Sequence, residues 1–351
     1  METNWGVLGH EWAAQLLSQH IAHGDARHAY LFSGPPGVGR RTLALRFAQA
    51  LNCTQPPNPG QPCLRCRECR QIESLSHPDL AVVQSEQEGA MLKVELVRDM
   101  QRALSLSPYQ ARLRVALLLR FQEANANAQN ALLKTLEEAP EKVVLLLTAD
   151  SAESLLPTIA SRCEVLRLRP LRLEVLASHL AGVLEGNWGK LTEEQRIELT
   201  DRWGAPAQLA VRLAHLAGGR AGMALRMAGD LALVEQRQAQ LDDLQELLGS
   251  SMRARFSYAE RITRTRDKTL QLPDLYRTWL SYWRDVLLAA AGAEAPLTNL
   301  AQEAEIRRLA QRVGLETARA RTADLERGLA RLSANVNPRL LTEVLLLDWP
   351  A

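Results

Sequence analysis

Lysine is scarce in this sequence. Lys93, Lys134, Lys142, Lys190 and Lys268 stand alone among 42 basic residues, so arginine carries nearly all of the positive charge. The chain also lacks a field of one sign. Its net charge of +2 does not mark it as a nucleic-acid binder as a whole, and any basic surface must be a local patch. No apolar run is long enough to cross a bilayer, and Met1-Glu2-Thr3-Asn4-Trp5 does not read as a signal peptide. Four of the five cysteines are clustered, a pattern expected of a metal site in a reducing compartment and not of a disulfide framework. Solenoid-period repeats and low-complexity tracts are absent as well. What remains is a chain of 351 residues, 46% hydrophobic and 23% charged: an ordinary globular protein with room for two or three domains, expected in the cytoplasm.

Apolar runs at 29–33, 80–83, 114–119, 143–147 and 164–168 read as buried strands. Helical periodicity lies between them, at 8–23, 43–51, 94–104 and 125–138. This alternation predicts a three-layer α/β domain with a mainly parallel sheet. After Pro170 no strong strand candidate follows. Residues 171–227 read as a small helical domain punctuated by Gly204-Ala205-Pro206 and Gly218-Gly219. A second helical block runs from about 230 to 347. Within it Tyr276, Trp279, Leu280, Trp283 and Leu287 share one helix face, expected to be bundle core.

Gly34-Pro35-Pro36-Gly37-Val38-Gly39-Arg40-Arg41-Thr42 has the glycine spacing of a phosphate-binding loop, in the strand–loop–helix setting such a loop requires. The two positions that do the chemistry depart from the motif. Arg40 stands where a lysine reaches the β- and γ-phosphates, and Arg41 where a hydroxyl holds Mg²⁺. Arg40 could still reach a phosphate, but a guanidinium at position 41 repels the metal. Reading Arg41-Thr42 as a displaced Lys-Thr pair turns the hydroxyl about 100° around the helix. The acidic strand fails in the same way: Leu117-Leu118-Leu119 runs into Arg120 where an aspartate is needed, and Glu123 is expected at the surface or a helix start. Gly34, Gly37, Gly39, Arg40 and Arg41 are therefore expected to form a vestigial, empty loop without ATP hydrolysis.

Cys53, Cys63, Cys66 and Cys69 offer four thiolates, three of them at two-residue gaps, which can close a tetrahedron around Zn²⁺. The Arg70-Gln71-Ile72-Glu73 that follows disfavours an iron–sulfur cluster. Four cysteine ligands leave no open position, so a structural zinc is expected, with Arg65, Arg67 and Arg70 offsetting its charge. Leu156 to Cys163 carries Arg162 just beyond a strand. It could be a surface arginine or a finger that enters a neighbour's ATP site. Cys163 is expected to be a buried apolar residue opening the next strand.

Together these motifs resemble the AAA+ clamp-loader family of bacterial DNA polymerase III, and within it the delta-prime family. The resemblance is carried by His28 to Gly39, the cysteine quartet, Leu104-Ser105-Leu106-Ser107-Pro108-Tyr109, Asn130 to Pro140 and Leu156 to Cys163, with Asn335 to Leu341 near the C-terminus. It implies an AAA+ module over 1–169 containing a zinc module (53–69), a helical lid over 170–227 and a helical collar over 228–351. Motor subunits of that family, gamma or tau, keep intact ATP motifs, whereas delta-prime members have degenerate ones. The latter supply a trans arginine finger, a position that Arg162 matches. Thr148 matches the first sensor, and Gly218-Gly219-Arg220-Ala221 resembles the segment carrying the second sensor arginine. Without nucleotide both would be structural. The implied partners are gamma/tau and delta subunits in a pentameric hetero-oligomer, with the sliding clamp and primed DNA reached through the complex. Arg98 and Arg102 are candidate phosphate contacts, or else part of a solvated face. The competing expectations are an ATP-hydrolysing motor, which needs the missing Mg²⁺ ligands, and a zinc-dependent nucleic-acid binder, which needs a basic or aromatic groove.

Overall fold

The computed structural model of the chain describes residues 5–87, 89–189, 192–332 and 336–350. Met1–Asn4, Lys190 and Asn335 lie outside the described residues. The chain divides into two compact units, residues 1–171 with 220–223, and residues 172–219 with 224–351.

The first unit carries helix α1 (Glu11–His23), strand β1 (Ala29–Ser33), α2 (Arg40–Asn52), α3 (Arg67–Glu73), β2 (Leu80–Val83) and α4 (Val94–Leu104). It continues with β3 (Arg114–Leu118), α5 (Ala126–Glu137), β4 (Val143–Ala149), α6 (Pro157–Ala160) and β5 (Glu164–Arg167). The five strands form one sheet in the order β2-β3-β4-β1-β5, and every pairing is parallel. Parallel strands need helical crossovers, and these cover both faces. Alternation along each strand then feeds two cores. Tyr30, Phe32, Leu117 and Leu146 pack with Leu17, Leu43 and Phe47 on one side. Leu31, Leu118, Leu145 and Leu147 pack with Val97, Phe121 and Leu132 on the other. Each such fully buried side chain contributes about 1.5–3 kcal/mol of apolar burial.

Loop chemistry sets the helix starts. Asn125 caps α5 by accepting from the Ala128 N–H, and Pro157 begins α6 at the position where its missing donor costs nothing. Because all strands run the same way, the ends of β1, β3 and β4 emerge at one edge of the sheet. That edge is where open α/β sheets place their ligands.

The second unit is helical among the described residues: α7 (Leu173–Trp188), α8 (Glu193–Trp203), α9 (Pro206–Leu216), α10 (Ala221–Gly229), α11 (Ala232–Leu248), α12 (Met252–Thr263), α13 (Arg266–Leu270), α14 (Leu272–Ala290), α15 (Glu303–Leu332, broken at Gly314) and α16 (Pro338–Leu347). The first residues of α10, to Met223, belong to the first unit. The expected aromatic face of α14 is core: Tyr276, Trp279 and Trp283 are fully buried, and Trp349 packs edge-on against Trp279 at 4.9 Å. Arg255 on α12 is also buried. It donates to the carbonyls of Leu247, Leu248, Leu346, Trp349 and Pro350, binding the ends of α11 and α16. No described helix is long and apolar enough to cross a membrane.

Candidate functional site

The glycine loop leaves β1 and enters α2 at the sheet edge. Gly34 donates its N–H to the Ala149 carbonyl, tying the loop's start to the end of β4. His10 Nε2 donates to the Val38 carbonyl at 2.9 Å. Gly37 sits at φ +82°, in the left-handed region, and a Cβ there would meet Met223 Cβ at 3.0 Å. The close neighbour is the start of α10: the N–H groups of Gly222 and Met223 both donate to the Gly37 carbonyl, at 2.8 and 3.2 Å. In the segment expected to carry a second sensor, these two backbone donors reach the loop.

Arg40 begins α2 and is 8% exposed. Its Nη1 lies 2.7 Å from Oδ1 of Asp150, the residue just past β4. Arg41 and Thr42 are exposed. Arg120 takes a left-handed conformation, φ 50° and ψ 50°, directly after β3. Its Nε donates to Glu123 at 2.9 Å, its Nη2 to Ser85 Oγ, and its backbone N–H to Thr148 Oγ1 at 2.8 Å. Thr148 thus ties β4 to the end of β3. Glu123, expected at the surface or a helix start, lies in a single 3-10 turn (Phe121–Glu123) and is not at the surface. Its carboxylate also accepts from the Ser85 hydroxyl and the Gly89 N–H, and its side chain is 8% exposed. Two of the three cations that replace the motif residues, Arg40 and Arg120, are therefore neutralised within the chain, by Asp150 and Glu123. Asp150 was not singled out in the sequence, although it directly follows the strand paired with β1.

Arg162 follows α6. Its Nη2 donates to Glu137 on α5 at 2.6 Å and its Nη1 to the Thr158 carbonyl at 2.8 Å. The side chain is one-third exposed, so the guanidinium is reachable from solvent. Gln129, also on α5, accepts from the Leu156 N–H and fixes the start of this segment. Cys163 is half-buried rather than fully enclosed, and its surroundings push the thiol up to about 12, which leaves it an inert packing group.

The four clustered cysteines are buried and their sulfurs all lie within 4.8 Å of one another, so they could hold a metal ion. The donor set fits such an ion. Cys53, Cys63 and Cys66 each accept an N–H, from Cys63, Cys66 and Cys69 respectively, at 3.2–3.4 Å, so the sulfurs converge with their backbone donors already in place. Burial opposes ionisation of Cys63, but backbone donors from Arg65 and Cys66 bring its thiol down to about 7. Burial and the neighbouring Cys66 sulfur hold Cys69 high. Cys66 also caps α3, a helix not anticipated among the cysteines. Gln49 of α2 donates to the Cys69 carbonyl at 2.7 Å and docks the module on the sheet domain. Arg65, Arg67 and Arg70 are exposed around it, and so are Arg98 and Arg102 on α4, where Arg102 pairs with Asp99.

Residues 9–172 match the model of the family described as DNA polymerase III, delta subunit, and residues 234–350 match the model of its C-terminal region. Over 96% of both chains, the sequence is 30% identical to DNA polymerase III subunit delta' of Pseudomonas aeruginosa. The chain belongs to the delta-prime family of DNA polymerase III. Subunit delta' of Bacillus subtilis is 29% identical over 60% of this chain and 65% of its own. The Escherichia coli tau subunit is 35% identical over 51% of this chain and 27% of its own. Among solved structures, a DNA polymerase III gamma subunit-related protein from Thermotoga maritima aligns over 95% of this chain and 97% of its own, with 17% identity and a TM-score of 0.45.

Proposed function

We propose that this delta-prime family member is a non-catalytic subunit of a cytoplasmic bacterial clamp loader. Its own phosphate loop is empty, and Arg162 completes the ATP site of a neighbouring gamma/tau subunit. The observation that carries this reading is the internal neutralisation of Arg40 by Asp150 and of Arg120 by Glu123, beside an Arg162 that solvent can reach. A working site needs a free cation for the phosphates and an acid for Mg²⁺. Here the first is engaged and the second replaced. Arg162 stands just past a short helix, and its guanidinium is braced by Glu137 of α5, a rigid mount for a group that must meet developing phosphoryl charge.

The cysteine quartet would hold a structural zinc: four sulfur ligands leave no position for substrate or water, so the ion would supply cross-linking and no reaction chemistry. Residues 170–227 would serve as lid and 228–351 as collar in a pentameric hetero-oligomer with gamma/tau and delta. The assembly would place the sliding clamp on primed DNA. In a loader reconstituted with partner subunits so that only the site facing this chain is competent, Arg162→Ala is expected to lower DNA-stimulated ATP hydrolysis by about a thousandfold, the usual worth of such an arginine. Hydrolysis at the wild-type level would refute the assignment.

A further inference from the structure

Arg40 opens a helix at the end of a glycine loop and is nearly buried, so its charge must be met by something. The group that meets it is Asp150 Oδ1, at 2.7 Å. Asp150 follows β4, the strand paired with β1, and the parallel register Ser33↔Ala149 brings the residue after each strand to the same edge. A carboxylate on a guanidinium is a charge-assisted contact of the kind that phosphate would make. We infer that Asp150 is the loop's own anion and excludes phosphate from Arg40, a role that rests on the empty-loop reading above.

Missing Mg²⁺ ligands alone would not have this effect. A glycine loop with a cation at its helix start can hold a polyanion without metal, through backbone donors and the guanidinium. To do so here the polyanion must first displace a carboxylate that is tethered to the chain and therefore always present at high effective concentration. Asp150 is itself 45% exposed at its side chain, so the pair faces solvent on one side and replacing the carboxylate does not disturb the core. Asp150→Asn keeps the size of the side chain, removes its charge and leaves Arg40 an unmatched, nearly buried cation. That is the condition under which an anion from solution is drawn in.

The test is calorimetric titration of the full chain with inorganic pyrophosphate, without Mg²⁺. Wild-type protein should give no saturable binding. Asp150→Asn should bind saturably, with a Kd at least about tenfold below the highest concentration at which wild type stays silent, and Asp150→Ser should do likewise, which guards against a folding defect in either. Adding Arg40→Gln to Asp150→Asn should abolish the gain. If neither Asp150 variant binds better than a non-binding wild type, Asp150 is not the excluding group, although the loop is still empty. If wild type binds as tightly as the variants, the empty-loop reading itself fails. Binding that survives Arg40→Gln lies elsewhere and overturns the inference.

Discussion

Asp79 organises more of the first unit than its position between a turn and a strand suggests. Its side chain is fully buried, and it accepts from the N–H groups of Tyr109, Gln110 and Ala111 and from Arg114 Nη2 at 3.0 Å. Burial opposes its charge, but the three backbone donors and the guanidinium bring its pKa down to about 2, below the ordinary carboxylate value near 4. The group therefore stabilises the fold fully above pH about 4, and that stabilisation is lost as pH falls toward 2. Asp79→Asn is expected to cost about 2 kcal/mol at neutral pH in urea unfolding, with a smaller difference at pH 3. An equal loss at both values would show that the charge is not what matters. None of this was legible in the sequence. His77-Pro78-Asp79 reads as a turn, but the partners of Asp79 stand some thirty residues away, and only strand pairing brings them to it. Asp150 was hidden for the same reason, and so was the bond from Ser85 that draws Glu123 inward. Arg40, Arg41 and Arg120 could be recognised because each departs from a motif with fixed local spacing.

At the scale of elements, the cysteine module is a short helix and a loop with almost no apolar core of its own. Its buried residues are the four cysteines with Gly60, Gln61, Pro62 and Ile72, and the Gln49 bond ties it to the sheet domain. Such a module would depend on a bound metal for folding. Purified protein is expected to contain one zinc per chain. Strong chelation should remove hydrogen-exchange protection from residues 53–73 while the strands keep theirs. Metal-free protein with full protection there would contradict a structural ion. The strands were legible as apolar runs, and α5 as helical periodicity over 125–138. The helix α3 was not, because a seven-residue helix shows barely two turns and its cysteine spacing reads first as ligand geometry. Glu137 and Gln129, which brace the Arg162 segment, lie on a helix whose apolar face was evident but whose polar partners depended on where α6 would lie.

For the whole molecule, two units with separate cores should be separable in their stabilities. Arg255 offers a selective lever. It is a buried cation matched by five carbonyls at helix ends, where the peptide dipoles favour positive charge. Arg255→Met would leave those carbonyls with one donor group fewer and is expected to destabilise the second unit by about 3 kcal/mol. In calorimetry the transition of that unit should move down while that of the first stays in place. A uniform shift of both would show that they unfold as one. The change from α/β to all-helical character near residue 170 was plain in the sequence, because strand-type runs stop there. The return of residues 220–223 to the first unit was not, since it involves backbone donors, which no side-chain pattern announces.

That return has a consequence for how the protein is made. The carbonyl of Gly37 emerges from the ribosome long before the N–H groups of Gly222 and Met223 that will satisfy it. Contacts between such distant positions form late, because the intervening chain must first be ordered. The sheet, whose strands all lie before residue 171, can assemble meanwhile with water on that carbonyl. The glycine loop is thus synthesised well before the segment that finishes it.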